Sequence, residues 1–262
     1  MQTGGLRTKG ITKVSQPGKP LISVVTVVRN GAATLEQTIL SVVNQTYDNV
    51  EYIVIDGAST DGTLDVIRKY EDRIDLWQSE PDGGIYDAMN KGIALATGGW
   101  VLFLGADDVL FDAYVIKNVS KRLININCVY YGDVFFDTHR LIYDYKFSAV
   151  KLCCRNICHQ AIFYPKTVYN RMHFDTRYRI YADWEYNIKA WKLASFVYIP
   201  VMISIFCEAG SSAKGDVVFL EDKHRIIKEN LGFFVYVKSM LVSPFQRYWY
   251  CLKHFFDSYR YR

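Results

Sequence analysis

Three short apolar runs in the first half of this 262-residue chain each end near a carboxylate. Asp56 follows residues 51–55, Asp82 comes after residues 74–78, and the adjacent pair Asp107-Asp108 follows residues 100–104. A lone Asp after a strand is commonly a turn former or a helix cap. Three in succession, the last one doubled, point instead to a ligand. Two like charges side by side raise each other's energy unless a cation stands between them and a ligand. Carboxylate together with phosphate oxygens is the donor set that suits Mg²⁺ or Mn²⁺. Asp82-Gly83-Gly84 adds a loop on which backbone can approach a ligand closely. No P-loop lysine motif and no GxGxxG is present, which argues against NTPase chemistry and against a dinucleotide-binding oxidoreductase. Farther on, Asp183-Trp184-Glu185 opens a helical pattern, where Asp183 is a candidate general base or an N-cap. Cys153-Cys154 with Cys158-His159 makes a poor zinc set, because adjacent cysteines rarely ligate one tetrahedral ion.

Such carboxylates need strands to hold them. The β-branched run over residues 21–28 fits a strand buried on both faces. Thr34 and Gln37 have capping-box spacing, and Leu35, Ile39, Val42 and Val43 then fall at helical intervals. Residues 51–55, 74–78 and 100–104 read as further strands, separated by helical patterns on Leu64, Ile67 and Tyr70 and on Ile85, Ala88, Met89, Ile93 and Ala96. This alternation predicts an α/β fold, a Rossmann-like, mostly parallel central sheet flanked by helices. Ligands of such sheets gather outside the carboxyl ends of the strands, where the acids lie. In the second half, 128–133, 141–145 and 161–164 read as strands and 183–192 as a helix. Residues 196–206 form an apolar strand interrupted by Pro200.

With 50% hydrophobic and 22% charged residues, the chain is neither disordered nor collagen-like. A net charge of +4 is too small to argue for nucleic acid, and none is expected as a partner. The charge is unevenly spread. Residues 1–20 hold four cations and no acid, and with their Gly and Pro they read as a flexible basic lead-in. Residues 216–262 hold eight basic against five acidic residues, so the body between is mildly acidic. The first twenty residues lack a signal-peptide apolar stretch, and the best spanning candidate, 231–250, is broken by Lys238, Pro244 and Arg247. The six cysteines form no regular framework and read as reduced thiols in a cytoplasm.

The run SVVTVVRNGAATLEQTILSVVNQTYDNVEYIVIDGASTDGT, followed by EPDGGIYDAMNKGIALATGGWVLFLGADD, resembles family 2 glycosyltransferases of the GT-A fold. The likeness extends over about residues 21–210 and is greatest to bacterial enzymes that build O-antigen, capsule or exopolysaccharide units on a lipid carrier. It implies a nucleotide-binding half at 21–110 and an acceptor-binding half at 111–215. By the same resemblance Val27, Arg29 and Asn30 hold the nucleotide, and Asp56, Ser59 and Asp61 lie near base and ribose. This chain has Asp56-Gly57 where many relatives carry two acids. Asp82, Asn90 and Lys91 would line the nucleotide pocket; for Lys91 a solvated helix face is the alternative. Asp107 would face sugar and ribose, and Asp108 the Mn²⁺ or Mg²⁺. Asp183 would be the base, with His159, Gln160, Trp184 and Glu185 around acceptor and diphosphate. Glu208 and Gly210-Ser211-Ser212 resemble a closing loop. The implied reaction moves a hexose from a UDP-sugar to a polyprenyl-diphosphate-linked sugar, with inversion to a β-linkage. A GDP-sugar donor, a soluble acceptor, or a non-catalytic nucleotide-sugar-binding module are the alternatives.

Residues 216–262 contain twelve of the forty aromatic residues, interleaved with Lys238, Arg247 and Lys253. Such a helical segment suits the inner face of the cell membrane, with rings at headgroup depth and cations on anionic lipid. An ordinary amphipathic helix over the sheet or a homodimer contact would carry the same pattern.

Overall fold

The computed structural model describes residues 1–137, 140–143, 145–206 and 215–242. After a short β1 (Gln2–Gly4), the chain alternates β2 (Ile22–Val28), α1 (Leu35–Val43), β3 (Val50–Asp56), α2 (Thr63–Lys69), β4 (Leu76–Ser79), α3 (Ile85–Leu95) and β5 (Trp100–Gly105). The second half adds β6 (Val109–Leu110), α4 (Val115–Ser120), β7 (Cys128–Phe136), β8 (Leu141–Tyr143), α5 (Ala149–Cys154) and β9 (Ile162–Pro165). It continues with α6 (Lys166–Tyr169), α7 (Ala182–Leu193), β10 (Ser195–Phe206) and α8 (Val217–Leu231). The strands join one sheet in the order β1-β4-β3-β2-β5-β9-β7-β10-β6, with β8 on β7.

β2, β3, β4 and β5 are parallel. The chain steps outward from β2 to β4 and returns to β5 on the far side of β2, so strand order reverses there. β9 runs antiparallel to both β5 and β7, and β10 runs parallel to β7. The carboxyl ends of β2, β3, β5 and β7 therefore share one edge with the start of β9. Every residue of β2 and β3 is buried, as a strand covered on both faces requires. Val25, Ile53 and Phe103 pack one face against α3, α7 and α8, while Val24, Tyr52 and Leu102 pack the other against α1, α2 and α4.

Residues 1–20 are not a loose lead-in. β1 extends the sheet antiparallel to β4. Arg7 pairs with buried Glu51 at 3.2 Å, and Lys13 with buried Asp75 at 2.8 Å. The basic start neutralises acids that burial would otherwise leave costly. The capping box at Thr34 is absent too. Thr34 has helical φ and ψ, so its hydroxyl cannot reach forward, and the Gly31 carbonyl receives the Thr34 and Leu35 N–H groups instead. Pro200 does not end β10; the ladder to β7 shifts register between Tyr198 and Met202, where proline offers no N–H. α8 belongs to the body rather than to a separable tail, because Phe219, Ile226 and Ile227 are buried in the core.

Candidate active site

The loops at the switch between β2 and β5 are held together by short polar contacts. Asp56 is fully buried and accepts hydrogen bonds from the Ser59 hydroxyl at 2.5 Å and the Ser79 hydroxyl at 2.6 Å. The Ser59 hydroxyl also accepts the Asn30 N–H at 2.7 Å, and Asn30 Oδ1 accepts the Thr60 N–H at 2.9 Å. Asn30 adopts a left-handed φ of 54°, which Asn tolerates better than most residues. Asp61 accepts the Ala32 N–H at 3.1 Å and the Thr63 hydroxyl at 2.5 Å, and Thr63 is the first cause of its lowered pKa. Asp56, Ser59, Asn30 and Asp61 thus knit the β2 and β3 loops together. Asp56, expected beside base and ribose, has its carboxylate turned inward to that framework. Val27 lies in the core and Arg29 is exposed beyond the end of β2.

The third carboxylate joins this floor. Asp82 accepts the Gly84 N–H at 2.9 Å, and its other oxygen rests against the bare Cα of Gly57. A side chain at position 57 would displace it, which gives Asp56-Gly57 a packing reason. Two neighbours expected in the nucleotide pocket are engaged elsewhere. Asn90 donates to the Phe174 carbonyl at 2.9 Å and accepts the Phe174 N–H at 2.8 Å, so both ends of its amide clamp the connection between α6 and α7. Lys91 donates to the Pro81 carbonyl and pairs with Glu80, both at 2.9 Å, so it braces the 80–84 loop and is not simply a solvated helix face.

Asp107 and Asp108 converge on Gly105. A Cβ on that glycine would lie 2.7 Å from Asp108 Oδ2 and 3.0 Å from Asp107 Oδ1, so the two oxygens occupy a cradle that any side chain would fill. Thr38 fixes the turn through its hydroxyl, which donates to the Asp108 carbonyl at 2.7 Å. Among the described residues no group of three or more His, Cys, Asp or Glu side chains forms a metal cluster. The two carboxylates fit a divalent ion whose remaining ligands are phosphate and water oxygens.

The second half brings its contribution to the same edge. His159 opens the turn that leads into β9, and Asp183 lies in the first turn of α7. His159 Nδ1 is 3.2 Å from Asp183 Oδ2. The Tyr86 hydroxyl shares its one proton between the Ile180 carbonyl at 2.5 Å and Asp183 Oδ1 at 3.2 Å. Burial opposes a charged His159, but the hydrogen bond and charge of Asp183, with Asp108 and Asp107 nearby, outweigh it and raise the pKa. The His159–Ala161 turn packs against β5, so His159 stands on the same sheet edge as the Asp107-Asp108 turn while it contacts Asp183. Asp183 is not the N-cap of α7; Tyr181 occupies that position.

Three expected acceptor residues are buried. Gln160 is 2% exposed. Trp184 donates its indole N–H to the Leu152 carbonyl at 2.7 Å and lies beneath the Lys223 ammonium, 3.7 Å from the ring centre, so it ties α5 and α8 to α7 rather than facing an acceptor. Glu185 is buried and ion-paired with the half-exposed Lys189, and burial raises its pKa against that pairing. Successive residues of a helix point about 100° apart, so Asp183, Trp184 and Glu185 face different neighbours although they are adjacent in sequence. Tyr86 went unnoticed because an aromatic at helical spacing reads as core; only its hydroxyl partners distinguish it. Glu208 and Gly210-Ser211-Ser212 lie outside the described residues.

The profile of Glycosyl transferase family 2 matches residues 23–148. A PGL/p-HBAD biosynthesis glycosyltransferase of Mycobacterium bovis is 35% identical over 200 residues, covering 73% of this chain and 78% of the relative. The chain belongs to glycosyl transferase family 2. The enzyme is also 31% identical over 222 residues to an uncharacterized glycosyltransferase of Mycobacterium tuberculosis, with 79% and 85% covered. Its fold is GT-A. S. aureus TarS in complex with UDP-GlcNAc superposes with a TM-score of 0.69 at 18% identity, covering 80% of this chain and 66% of that one. The mannosyltransferase PcManGT of Pyrobaculum calidifontis, in complex with GDP-Man and Mn²⁺, gives 0.57 at 20% identity, with 81% and 62% covered. The enzyme thus spans just under two thirds of these two structures.

Proposed function

We propose that this glycosyltransferase moves a hexose from a UDP-sugar to a lipid-diphosphate-linked sugar during cell-surface glycan assembly, inverting the anomeric centre. The observation that carries this reading is the convergence of the Asp107-Asp108 cradle with the His159–Asp183 pair at the switch between β2 and β5. UDP-GlcNAc bound in TarS and the likeness to a PGL/p-HBAD biosynthesis glycosyltransferase support the transfer of a sugar from a nucleotide donor.

Asp183 is the base. Its carboxylate has about four lone-pair directions; Tyr86 and His159 engage one on each oxygen, leaving room for an acceptor hydroxyl. As that oxygen bonds to the anomeric carbon, its proton passes to Asp183 and the bond to the diphosphate breaks, the electron pair leaving with UDP. Attack opposite the leaving group turns an α-linked donor into a β-linked product. Asp107 and Asp108 would hold Mn²⁺ or Mg²⁺, whose charge would stabilise the departing diphosphate. His159 orients Asp183 and shares the field of all three acids. The loops braced by Asp56, Ser59, Asn30 and Asp61 shape the nucleotide side, and Asp82 lines its floor.

No helix among the described residues is long and apolar enough to cross a membrane. Peripheral attachment to the inner membrane face is part of the reading. Phe233, Phe234, Val237, Met240 and Leu241 are exposed along the helical stretch 233–242, an apolar face turned outward. The aromatic, basic sequence beyond 242 lies outside the described residues.

The deciding experiment is a panel of UDP- and GDP-sugars with Mn²⁺ and a synthetic polyprenyl-diphosphate sugar. Transfer from a UDP-hexose, lost in Asp108→Asn and in Asp183→Asn while the latter keeps donor affinity, is expected. Full activity of Asp183→Asn would refute its role as base, and use of GDP-sugars alone would refute the donor. For attachment, Phe233→Ser with Phe234→Ser should reduce co-sedimentation with anionic vesicles; unchanged binding refutes that face.

A further inference from the structure

A further carboxylate stands on the catalytic edge of the sheet, outside the roles above. Asp133 lies toward the carboxyl end of β7 and is 7% exposed. Its Oδ2 accepts the Tyr198 hydroxyl at 2.8 Å, whereas its Oδ1 is buried with no hydrogen-bond partner. Burial raises the carboxyl pKa in spite of Tyr198 and the charge of Lys151. A carboxylate oxygen withheld from both water and donors costs free energy, and a native fold that keeps one calls for an explanation.

Its position supplies one. β9 pairs with β5 through Leu102 and Phe163 and with β7 through Tyr131 and Ile162. Continuing both ladders brings the His159–Ala161 turn between the Gly105 end of β5 and the Asp133 end of β7, and that turn packs against both strands. At about 4.8 Å per strand, Asp133 stands about 10 Å across the sheet from the Asp107-Asp108 cradle. A short saccharide would bridge that distance. The surroundings are aromatic: the Tyr131 ring lies 5.7 Å from Tyr198 and 6.2 Å from both Phe147 and Phe196. Hexoses present C–H faces that pack on such rings and hydroxyls that donate to a carboxylate, whereas a phosphate would be repelled by Asp133.

We propose that Asp133, with Tyr198 and the Tyr131–Phe147 wall, forms a subsite for a neutral sugar ring of the acceptor, Asp133 Oδ1 accepting one of its hydroxyls. This rests on the glycosyltransferase reading above. Oδ1 is buried in the free protein, so this subsite requires a neighbouring side chain to move as the ring enters; the Phe147 N–H is held to the Tyr131 hydroxyl at 2.8 Å.

The test measures binding of methyl hexopyranosides (gluco, galacto, manno and rhamno forms) by saturation-transfer NMR in the presence of UDP and Mn²⁺. Asp133→Leu should weaken the bound glycoside about 10- to 100-fold, the loss of one hydrogen bond to a charged group. UDP affinity should hold and Tm should not fall, because a buried charge is removed, and Asp133→Asn, which keeps an acceptor oxygen, should recover part of the loss. Should Asp133→Leu fail to fold, Tyr198→Phe carries the same comparison. Equal glycoside binding by wild type and variants, or no binding by the wild type, overturns the subsite. Failure of the wild type to bind UDP would instead overturn the donor reading.

Discussion

Gly105→Ala tests whether Asp107 and Asp108 act as a pair. The glycine has no left-handed φ, so its backbone accepts alanine. The new Cβ would meet Asp108 Oδ2 at 2.7 Å and Asp107 Oδ1 at 3.0 Å. Carbon–oxygen contacts settle near about 3.3 Å, so the two oxygens must retreat by about 0.6 and 0.3 Å. Only side-chain ends move, and the fold should keep its Tm. A misplacement of 1 Å in a catalytic site can cost on the order of 100-fold, so half that distance predicts about 10-fold in kcat/KM, or about 1.4 kcal/mol. The assay is UDP-sugar turnover over a Mn²⁺ titration, with thermal melting as control. The half-saturating Mn²⁺ concentration should rise along with the loss. Gly99→Ala, whose Cβ would meet its nearest neighbours at 3.7 Å, should leave both quantities unchanged. Wild-type kcat/KM and an unshifted Mn²⁺ curve in Gly105→Ala would refute the convergence argument.

Tyr86→Phe should lower kcat with little change in donor KM, since its hydroxyl orients Asp183 and the Ile180 carbonyl. An unchanged kcat would show that Asp183 needs no second anchor. Asn90→Ala removes both hydrogen bonds to Phe174 and should destabilise the fold by about 1–3 kcal/mol, read by urea melting. A donor-affinity loss without destabilisation would return Asn90 to the nucleotide pocket. Burial raises the folded-state pKa of Asp133, so ionisation there destabilises the wild type as pH climbs from the unfolded value near about 3.9 through the folded one. The Tm advantage of Asp133→Asn over wild type should therefore grow across that window, and a flat difference would contradict the burial argument.

The parallel half of the fold was legible because its central strands are buried on both faces and read as short, mostly apolar runs, β-branched in β2. Its acids were legible for the same reason: a charge directly after such a run must lie at the sheet edge. The second half was less so. α5, α6 and β6 are short, and their residues are chosen by packing against distant strands rather than by a local period. The basic start misled because its charges answer Glu51 and Asp75, which are far along the chain. α7 misled in a different way. Asp183, Trp184 and Glu185 are neighbours in sequence, yet they reach respectively the His159–Tyr86 contacts, the α5–α8 interface and the half-exposed Lys189.

By itself the sequence determined the alternating α/β order, the carboxylates that end its strands and the family resemblance, since each is encoded in local spacing and residue type. Tertiary structure alone decided which acids meet. Asp107 and Asp108 converge only over the bare Cα of Gly105, and His159 reaches Asp183 only because antiparallel β9 returns its start to the carboxyl edge of β5. The missing partner of Asp133 Oδ1 is likewise a property of packing. Hydrogen bonds and desolvation depend on distances of a few ångströms between residues far apart in the chain, and local spacing does not encode those distances.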